Sequence, residues 1–414
     1  MVFTLTKRIA VIGGGASGLP SAIEAKRQAK KLNIDLSVTV FEHLPKCAKK
    51  LLATGNGRCN FCNTKISEKN YNGDKDIIKN VLESEFSDTL SFFKSFGILP
   101  YFEDGRVYPR SEQATAIRDA LIKTCEILNI KFKTDVEVSE IKCSNNKFTI
   151  DNEEFDAVII ATGGTSQKAQ GSDGSGYKLL KDFGHKITDI FPALTAVTVE
   201  EKNFKDLKGL RVKCNFSLYS GRKLLKEETG EIQFTENALS GIPVLNLSYL
   251  VKNNKNYVAV IDFCNEFSYN ELEKHFSNTK CKMPYFRTEE ILSGLIPQKL
   301  SYFIMKRVGI KENTLFGKLS DKDIKLLVSN LKEAEFKVTG IRDFDYSQVT
   351  CGGADGNDFN TKTLMSKKQN GLFACGELLN INGDCGGYNL HFAFTSGRLA
   401  GASAVKYLNI KVNL

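Results

Sequence analysis

Residues 7–19 read KRIAVIGGGASGL, an apolar run that leads into the three glycines of a G-x-G-x-x-G motif. The following residues, as far as Lys31, carry small and apolar side chains at helical spacing, and LSVTVF at 36–41 predicts a second strand that ends at Glu42. Strand, tight turn, helix and strand make a βαβ unit. In that context the glycine motif predicts dinucleotide binding.

Each glycine of the motif has its own physical role. Gly13 makes the turn, Gly15 lets the backbone approach a pyrophosphate, and Gly18 allows close packing of helix and strand. The helix N-terminus offers N–H groups and a partial positive charge to the phosphates. Glu42 is placed to accept hydrogen bonds from the adenosine ribose, and its charge disfavours the 2′-phosphate of NADP.

Length and composition limit the class of protein. A chain of 414 residues predicts two or three domains, and 42% hydrophobic with 25% charged residues is ordinary for a globular protein. No apolar run approaches the roughly 18 residues of a membrane helix, and the N-terminus leads directly into the glycine turn, so we expect a cytoplasmic protein without a membrane partner. The charge of +9 is spread along the chain, which disfavours a nucleic-acid partner.

The sequence offers little for metal or disulfide chemistry. Eleven scattered cysteines without a secretion signal predict reduced thiols, and four histidines leave few ways to build a metal site, so no metal is predicted. Cys59-x-x-Cys62 has no second such pair, which disfavours zinc or redox chemistry. One alternative keeps exposed Cys59, Cys62 or Cys385 as redox switches.

Three further stretches indicate ligand binding. KKLLATGNGRCN at 49–60 follows the second strand, and FDAVIIATGG at 155–164 predicts a strand that ends in glycines, preceded by a hairpin of 130–138 and 147–150. GLFACGE and GDCGGYNL, within 371–390, predict a strand and a glycine turn before a helix over 391–407. The C-terminus therefore completes the nucleotide domain, and the middle of the chain is an insertion.

The insertion alternates between strand and helix patterns. Strands are predicted at 193–199, 210–219 and 257–263. Helices are predicted at 271–275, 291–306 and 321–331.

Together these motifs resemble the HI0933-like family of two-dinucleotide-binding-domain flavoproteins, also described as BaiN-like or aminoacetone-oxidase-family NAD(P)/FAD-dependent oxidoreductases. The stretches that carry the resemblance are VIGGGASGL at 11–19, KKLLATGNGRCNFCNT at 49–64, EDGRVYPRSEQATAIRDAL at 103–121, ATGGTSQKAQGSDGSGYKLLKDFGH at 161–185, GEIQFTENALSGIPVLNLS at 230–248 and the segment 349–401. Two stretches depart from the family pattern, QKAQGSDGSGY at 167–177 and LHFA at 390–393.

The resemblance implies an α/β fold. Residues 1–189 and 346–414 would form a Rossmann-like FAD-binding domain of the glutathione-reductase type, with three ββα layers. Residues 190–265 and 335–345 would form an inserted β-rich domain, and residues 266–334 a helical subdomain.

The resemblance also implies extended FAD. The loop at 49–60 would lie beside the isoalloxazine ring, the strand end at 161–164 near the adenine, and the N-terminus of the last helix at the pyrimidine edge of the flavin. The implied FAD-binding residues are Gly13, Gly15, Ala16, Ser17, Gly18, Glu42, Lys50, Gly55, Gly57, Arg58, Cys59, Asn60, Val136, Ala161, Thr162, Gly163, Gly376, Glu377, Asp384, Gly387, Tyr388, Asn389 and Leu390.

The leading functional prediction is an FAD-dependent oxidoreductase that exchanges a hydride between flavin N5 and a small organic substrate. Arg58 and Asn60 are the candidate catalytic residues, and His391 is either a proton donor or a packed helix residue. No second G-x-G-x-x-G follows a strand, so NAD(P)H is expected only as a transient donor. A flavin-dependent tRNA-modifying enzyme and a non-catalytic redox sensor are the alternatives. The substrate and the oligomeric state stay open.

Overall fold

The structure is a computed structural model that describes residues 6–202, 204–252 and 256–412. The chain divides into a first unit, formed by residues up to 192 together with those from 348 onward, and a second unit of residues 193–347. The strands, in chain order, are β1 (Lys7–Ile12), β2 (Leu36–Phe41), β3 (Cys62–Asn63), β4 (Tyr71–Gly73), β5 (Pro100–Glu103), β6 (Arg106–Pro109), β7 (Lys131–Lys133), β8 (Lys142–Ser144), β9 (Lys147–Ile150), β10 (Glu153–Phe155), β11 (Ala157–Ile160), β12 (Phe191–Ala193), β13 (Val197–Glu200), β14 (Arg211–Ser220), β15 (Lys223–Phe234), β16 (Ala238–Gly241), β17 (Tyr257–Asp262), β18 (Ala334–Ile341), β19 (Val349–Cys351), β20 (Leu372–Ala374) and β21 (Ile381–Gly383). The helices are α1 (Gly18–Lys31), α2 (Lys49–Ala53), α3 (Lys75–Leu82), α4 (Thr89–Lys94), α5 (Ala114–Ile127), α6 (Ser175–Asp182), α7 (Ile242–Leu247), α8 (Tyr269–Lys282), α9 (Thr288–Ser293), α10 (Gln298–Arg307), α11 (Asp321–Lys332) and α12 (Tyr388–Val412).

A parallel sheet in the order β20-β11-β1-β2-β7 forms the centre of the first unit. Its central strands are buried on both faces, which explains their nearly continuous Val and Ile runs. Helix α1 packs against both α5 and α12. Helices α1 and α12 also pack against the parallel sheet, and so does the antiparallel sheet β10-β9-β8. These layers confirm the predicted Rossmann-like α/β fold.

The βαβ unit at the N-terminus forms as the sequence predicts. Helix α1 begins at Gly18, directly after the glycine turn, and β2 covers the predicted residues 36–41. Strands β1, β2, β11 and β20 are parallel, so their carboxyl ends meet at one edge of the sheet. The glycine-rich segments that follow these strands therefore come together at that edge.

The predicted hairpin of 130–138 with 147–150 is wrong. Strand β7 pairs in parallel with β2, while β9 pairs with β8 and β10. Asn145 and Asn146, both with positive φ, make the tight turn between β8 and β9. The alternation of apolar residues predicts strands but does not determine their partners.

The second unit contains a closed antiparallel barrel in the order β13-β16-β15-β14-β17-β18. Phe216, Phe234 and Phe336 are fully buried within its core. The predicted helix 291–306 is two helices, α9 and α10, because Pro297 cannot continue the first one. Strand β15 was not predicted because KLLKEETGEIQF carries charged side chains at five of its twelve positions and lacks a regular apolar alternation.

Within the residues that the structure describes, no helix has both the length and the apolar character needed to cross a membrane.

Candidate functional site

The turn between β1 and α1 leaves open space above Gly15. A Cβ atom on Gly13, at φ +102°, would lie 2.6 Å from Ala161 O, and one on Gly18 would lie 1.8 Å from Gly13 O. Around the Cβ position of Gly15, by contrast, no heavy atom lies within 4 Å. Gly13 and Gly18 are therefore required by the fold, whereas Gly15, beside half-buried Ala16, leaves room for a ligand.

Glu42 holds the glycine turn from the end of β2. Its side chain is buried, Oε2 accepts a hydrogen bond from Gly14 N at 2.9 Å, and Oε1 accepts one from Leu44 N at 2.9 Å. A carboxylate has about four acceptor positions, so the group keeps acceptor capacity for a hydroxyl of a ligand. Val136 N donates to Glu42 O at 3.1 Å, which places Val136 at the same edge of the sheet.

The end of β11 forms another wall of the same edge. Ala161 is buried, Gly163 has φ +77°, and the Thr162 hydroxyl is buried without a hydrogen-bond partner among the described residues. A Cβ atom on Gly164 would lie 2.8 Å from Glu377 Oε1. The strand end therefore abuts the turn that follows β20.

An ion pair ties the loop after β2 to the turn after β20. Lys50 Nζ lies 3.1 Å from Glu377 Oε2, and Thr350 N donates to Glu377 Oε1 at 2.8 Å. A Cβ atom on Gly376 would lie 2.5 Å from Ser17 Oγ. Thr350 was missed from the sequence because its contact with Glu377 uses the backbone N–H, which any residue supplies.

Helices α1 and α12 run parallel in close contact. A Cβ atom on Gly397 would lie 2.2 Å from Ser17 O, and one on Gly401 would lie 2.1 Å from Ser21 O. Tyr388, the first residue of α12, precedes Gly397 by nine positions, or about 14 Å of helix. The N-terminus of α12 thus stands about 14 Å beyond that of α1, in the direction of the carboxyl ends of the strands.

Side chains fix the first turn of α12. Asn389 Oδ1 accepts from Gly383 N at 2.7 Å, and its Nδ2 donates to Gly383 O at 2.8 Å and to Asp384 O at 3.3 Å. Tyr71 Oη donates to Tyr388 O at 3.0 Å. Leu390, in the same turn, is half-buried. The turn is therefore held rigidly in place.

Asn60 contacts the first turn of α12 from the side opposite Asn389. A Cβ atom on Gly387, at φ +96°, would lie 2.7 Å from Asn60 Oδ1, which accepts from Val107 N at 3.3 Å. Asn60 is buried, and its Nδ2 donates no hydrogen bond within the described part of the chain. Asn60 thus lies beside the N-terminus of α12.

Arg58 faces a different set of groups. Its Nη1 lies 3.0 Å from Glu103 Oε2, its Nη2 contacts Glu112 Oε2, and its Cζ lies 4.0 Å from the ring centroid of Tyr108. Gly55 and Gly57, in the same loop, are exposed and have positive φ. Tyr108 was missed as a site residue, although it lies in the stretch 103–121 that resembles the family.

His391 is packed inside the first unit. Its Nδ1 lies 2.9 Å from Thr89 Oγ1, and its Nε2 has no hydrogen-bond partner among the described residues. Burial lowers the pKa of His391 to about 4, so the ring is neutral at neutral pH. This favours a packed helix residue over a proton donor.

The cysteines do not provide exposed switches at the C-x-x-C pair. Cys59 and Cys62 are buried and form no disulfide, and burial raises the pKa of both thiols to about 12. The prediction that they are exposed is therefore wrong, while Cys385 is half-exposed. In the described parts of the chain, no three His, Cys, Asp or Glu side chains are grouped as metal ligands.

Comparison with known proteins identifies relatives along almost the whole chain. A family model described as HI0933-like protein Rossmann domain matches residues 7–403. A Clostridium scindens protein named 3-dehydro-bile acid delta(4,6)-reductase is 36% identical over 409 residues, which cover 96% of this chain and 99% of that protein. A Haemophilus influenzae protein named ribosomal RNA dihydrouridine synthase is 26% identical over 399 residues, covering 93% and 95%.

Solved structures resemble this chain only distantly. The crystal structure of CtdE in complex with FAD and substrate 4 aligns with 99% of this chain and 85% of that one, at 12% identity and a TM-score of 0.36. A likeness of this size carries no argument about function.

Proposed function

Because this chain belongs to the HI0933-like family, we propose that it is an FAD-dependent oxidoreductase that transfers a hydride between flavin N5 and a small organic substrate. The observation that carries the proposal is the parallel arrangement of α1 and α12. Their N-termini open on the same side and stand about 14 Å apart along the helix direction. Two helix N-termini so placed suit a pyrophosphate and an electron-accepting ring in one extended ligand.

The residues at the sheet edge fit FAD. The open space at Gly15 and the N-terminus of α1 would take the pyrophosphate, and the remaining acceptor capacity of Glu42 would take the ribose hydroxyls. Val136 would contact the adenine. Bound FAD would supply a ring that accepts and donates a hydride.

The protein would contribute electrostatics and orientation. N–H groups of Gly387, Tyr388, Asn389 and Leu390 at the N-terminus of α12 would stabilise negative charge at the pyrimidine edge of the ring. Asn389 holds that turn in place through Gly383 and Asp384, and Asn60 lies beside it. Lys50 and Glu377 join the two loops that flank the ligand.

The names of the relatives suggest the direction of the reaction. A delta(4,6)-reductase of a 3-dehydro compound and a dihydrouridine synthase both add two hydrogens to a carbon–carbon double bond. We therefore propose reduction of a double bond conjugated to a carbonyl: a hydride adds to the β carbon, and a proton from solvent adds to the α carbon. NAD(P)H is the proposed transient donor.

The test is anaerobic reduction and reoxidation of the purified protein. The flavin band is recorded, NADH or NADPH is added, and a 3-oxo-Δ4 steroid is then mixed with the reduced protein. Bleaching by a nicotinamide followed by recovery with the steroid, but not with its saturated counterpart, would support the proposal. Failure to hold any flavin after reconstitution with FAD would overturn it.

A second candidate reduces uridine in RNA. The observation that favours it is the relative named ribosomal RNA dihydrouridine synthase, although its identity to this chain is lower, 26% against 36%. In this case RNA, and not the steroid, would reoxidise the reduced protein, and retention on RNA would fall steeply with salt.

A further inference from the structure

The two terminal nitrogens of the Arg58 guanidinium are already paired with protein groups, whereas its Nε is buried without a hydrogen-bond partner among the described residues. Two carboxylates, Glu103 and Glu112, pair with its two terminal nitrogens, and the ring of Tyr108 lies under its face. The three charged side chains sum to a net charge of −1. This cluster therefore offers no free positive charge to an anionic substrate.

The loop that carries Arg58 has an unfavourable backbone conformation. Gly55, Asn56, Gly57 and Cys59 have φ values of +57°, +56°, +84° and +57°. Left-handed conformations at Asn56 and Cys59 cost free energy and persist only where surrounding contacts enforce them. The ion pairs of Arg58 with Glu103 and Glu112 are the side-chain contacts that tie this loop to β5 and to the segment after β6.

The loop connects directly to the proposed flavin site. A Cβ atom on Gly55 would lie 2.9 Å from Asn60 N and 3.4 Å from Tyr108 Cε1. Asn60 Oδ1, in turn, accepts from Val107 N in β6 and lies beside Gly387. A change in the loop would therefore displace Asn60 relative to the N-terminus of α12.

We infer that Arg58 is a positioning residue, whose paired carboxylates hold the loop so that Asn60 meets the N-terminus of α12. This inference rests on the proposed function. It assigns to Glu103 and Glu112 a role that their sequence positions do not suggest. Arg58 acts through Asn60 and not through its own charge on flavin or substrate.

The reduction potential of the bound flavin separates the two roles. The holoenzyme, Arg58→Gln, the double variant Glu103→Gln/Glu112→Gln, and the triple variant are equilibrated with a redox dye. If Arg58 positions the loop, loss of either the arginine or the two carboxylates displaces Asn60. The reduction potential then shifts in the same direction in Arg58→Gln and in Glu103→Gln/Glu112→Gln, and the triple variant shifts no further. If its charge acts directly, loss of the cation lowers the potential and loss of the carboxylates raises it.

Shifts of opposite sign, or no shift in either variant, would overturn the inference. Arg58→Lys keeps the charge but cannot pair with two carboxylates in a fork, so its flavin should show the same shift in reduction potential as in Arg58→Gln. Arg58→Lys therefore replaces Arg58→Gln in the test if Arg58→Gln folds poorly. Arg110→Gln, which removes an exposed arginine over Tyr101, is the matched control and should leave the potential unchanged. A wild-type protein without flavin would instead refute the proposed function.

Discussion

Lys50 Nζ lies 3.1 Å from Glu377 Oε2, although 327 positions separate the two residues in the chain. The pair joins α2, which follows the second strand, to the turn after β20. Each side chain is about one-fifth exposed, at 23% and 19%. The contact therefore closes the sheet edge where the ligand is proposed to bind.

Removal of this ion pair should affect cofactor binding more than folding. For Lys50→Met we expect the unfolding free energy of the apoprotein to fall by no more than about 1 kcal/mol, because a partly exposed pair contributes little. FAD affinity should fall by about tenfold, near 1.4 kcal/mol. Titration of apoprotein with FAD measures this, and Glu377→Gln combined with Lys50→Met should add little to either single change.

A methyl group at Gly15 should weaken FAD binding without lowering the stability of the apoprotein. In Gly15→Ala the new Cβ meets no protein atom within 4 Å, so apoprotein stability should change by less than about 0.5 kcal/mol. FAD affinity should fall at least about tenfold, because the methyl group occupies the space left for the pyrophosphate. Gly13→Ala is the contrasting control, since its Cβ clashes with Ala161 O at 2.6 Å and should lower stability itself. Unchanged FAD affinity in Gly15→Ala would place the ligand elsewhere.

Replacement of Glu42 should damage both the turn and the ligand site. In Glu42→Gln an amide group faces the N–H of either Gly14 or Leu44, and a buried donor loses its acceptor. We expect a loss of about 1–3 kcal/mol in the unfolding free energy of the apoprotein, measured by urea denaturation. Glu112→Gln, at a more exposed carboxylate, should cost less, and an equal cost at the two positions would contradict this account of Glu42.

His391 should make the protein less stable in acid. Its pKa in the folded state is about 4, below the usual 6.5, so between these values only the unfolded chain takes up the proton. Stability should therefore fall as the pH drops from 6.5 to 4, by up to about 3 kcal/mol, and this contribution should be constant outside that range. In His391→Gln the difference between unfolding free energies at pH 7.5 and pH 4 should shrink accordingly. His275→Gln, at an exposed histidine, should leave the difference as in wild type.

Thiol reactivity should follow burial. Cys281 is exposed, whereas Cys59, Cys62 and Cys375 are buried with thiol pKa values raised to about 12 by burial. Brief alkylation of the native protein, read by mass spectrometry, should label Cys281 first and the three buried thiols only on unfolding. Cys281→Ser should remove the fastest phase. Labelling of Cys59 or Cys62 at the rate of Cys281 would restore the redox-switch alternative.

The local features of the fold could be predicted from the sequence. The run before Gly13, the helix after Gly18 and the strand before Glu42 depend on contacts within some 35 residues, which periodicity and glycine spacing encode. The Cβ geometry of Gly13 and Gly18 likewise matches the roles that their spacing predicts.

Features that depend on distant partners could not be predicted. Whether β7 pairs with β2 or with β9 depends on tertiary contacts, and an apolar alternation is compatible with both pairings. The orientation of Arg58 depends on Glu103 and Glu112, which the sequence does not connect to the loop. Burial of Cys59 and Cys62 was missed for the same reason, since the C-x-x-C spacing does not show what covers it.

The parallel contact of α1 and α12 has a consequence for biosynthesis. Strands β1, β2 and β11 leave the ribosome long before β20 and α12, and the second unit is synthesised between them. During translation, α1 therefore lacks the helix against which Ser17 and Ser21 pack, and the incomplete sheet exposes the edge of β11. The proposed FAD site is complete only after α12 has been synthesised, so we expect the cofactor to bind after that helix has docked on α1.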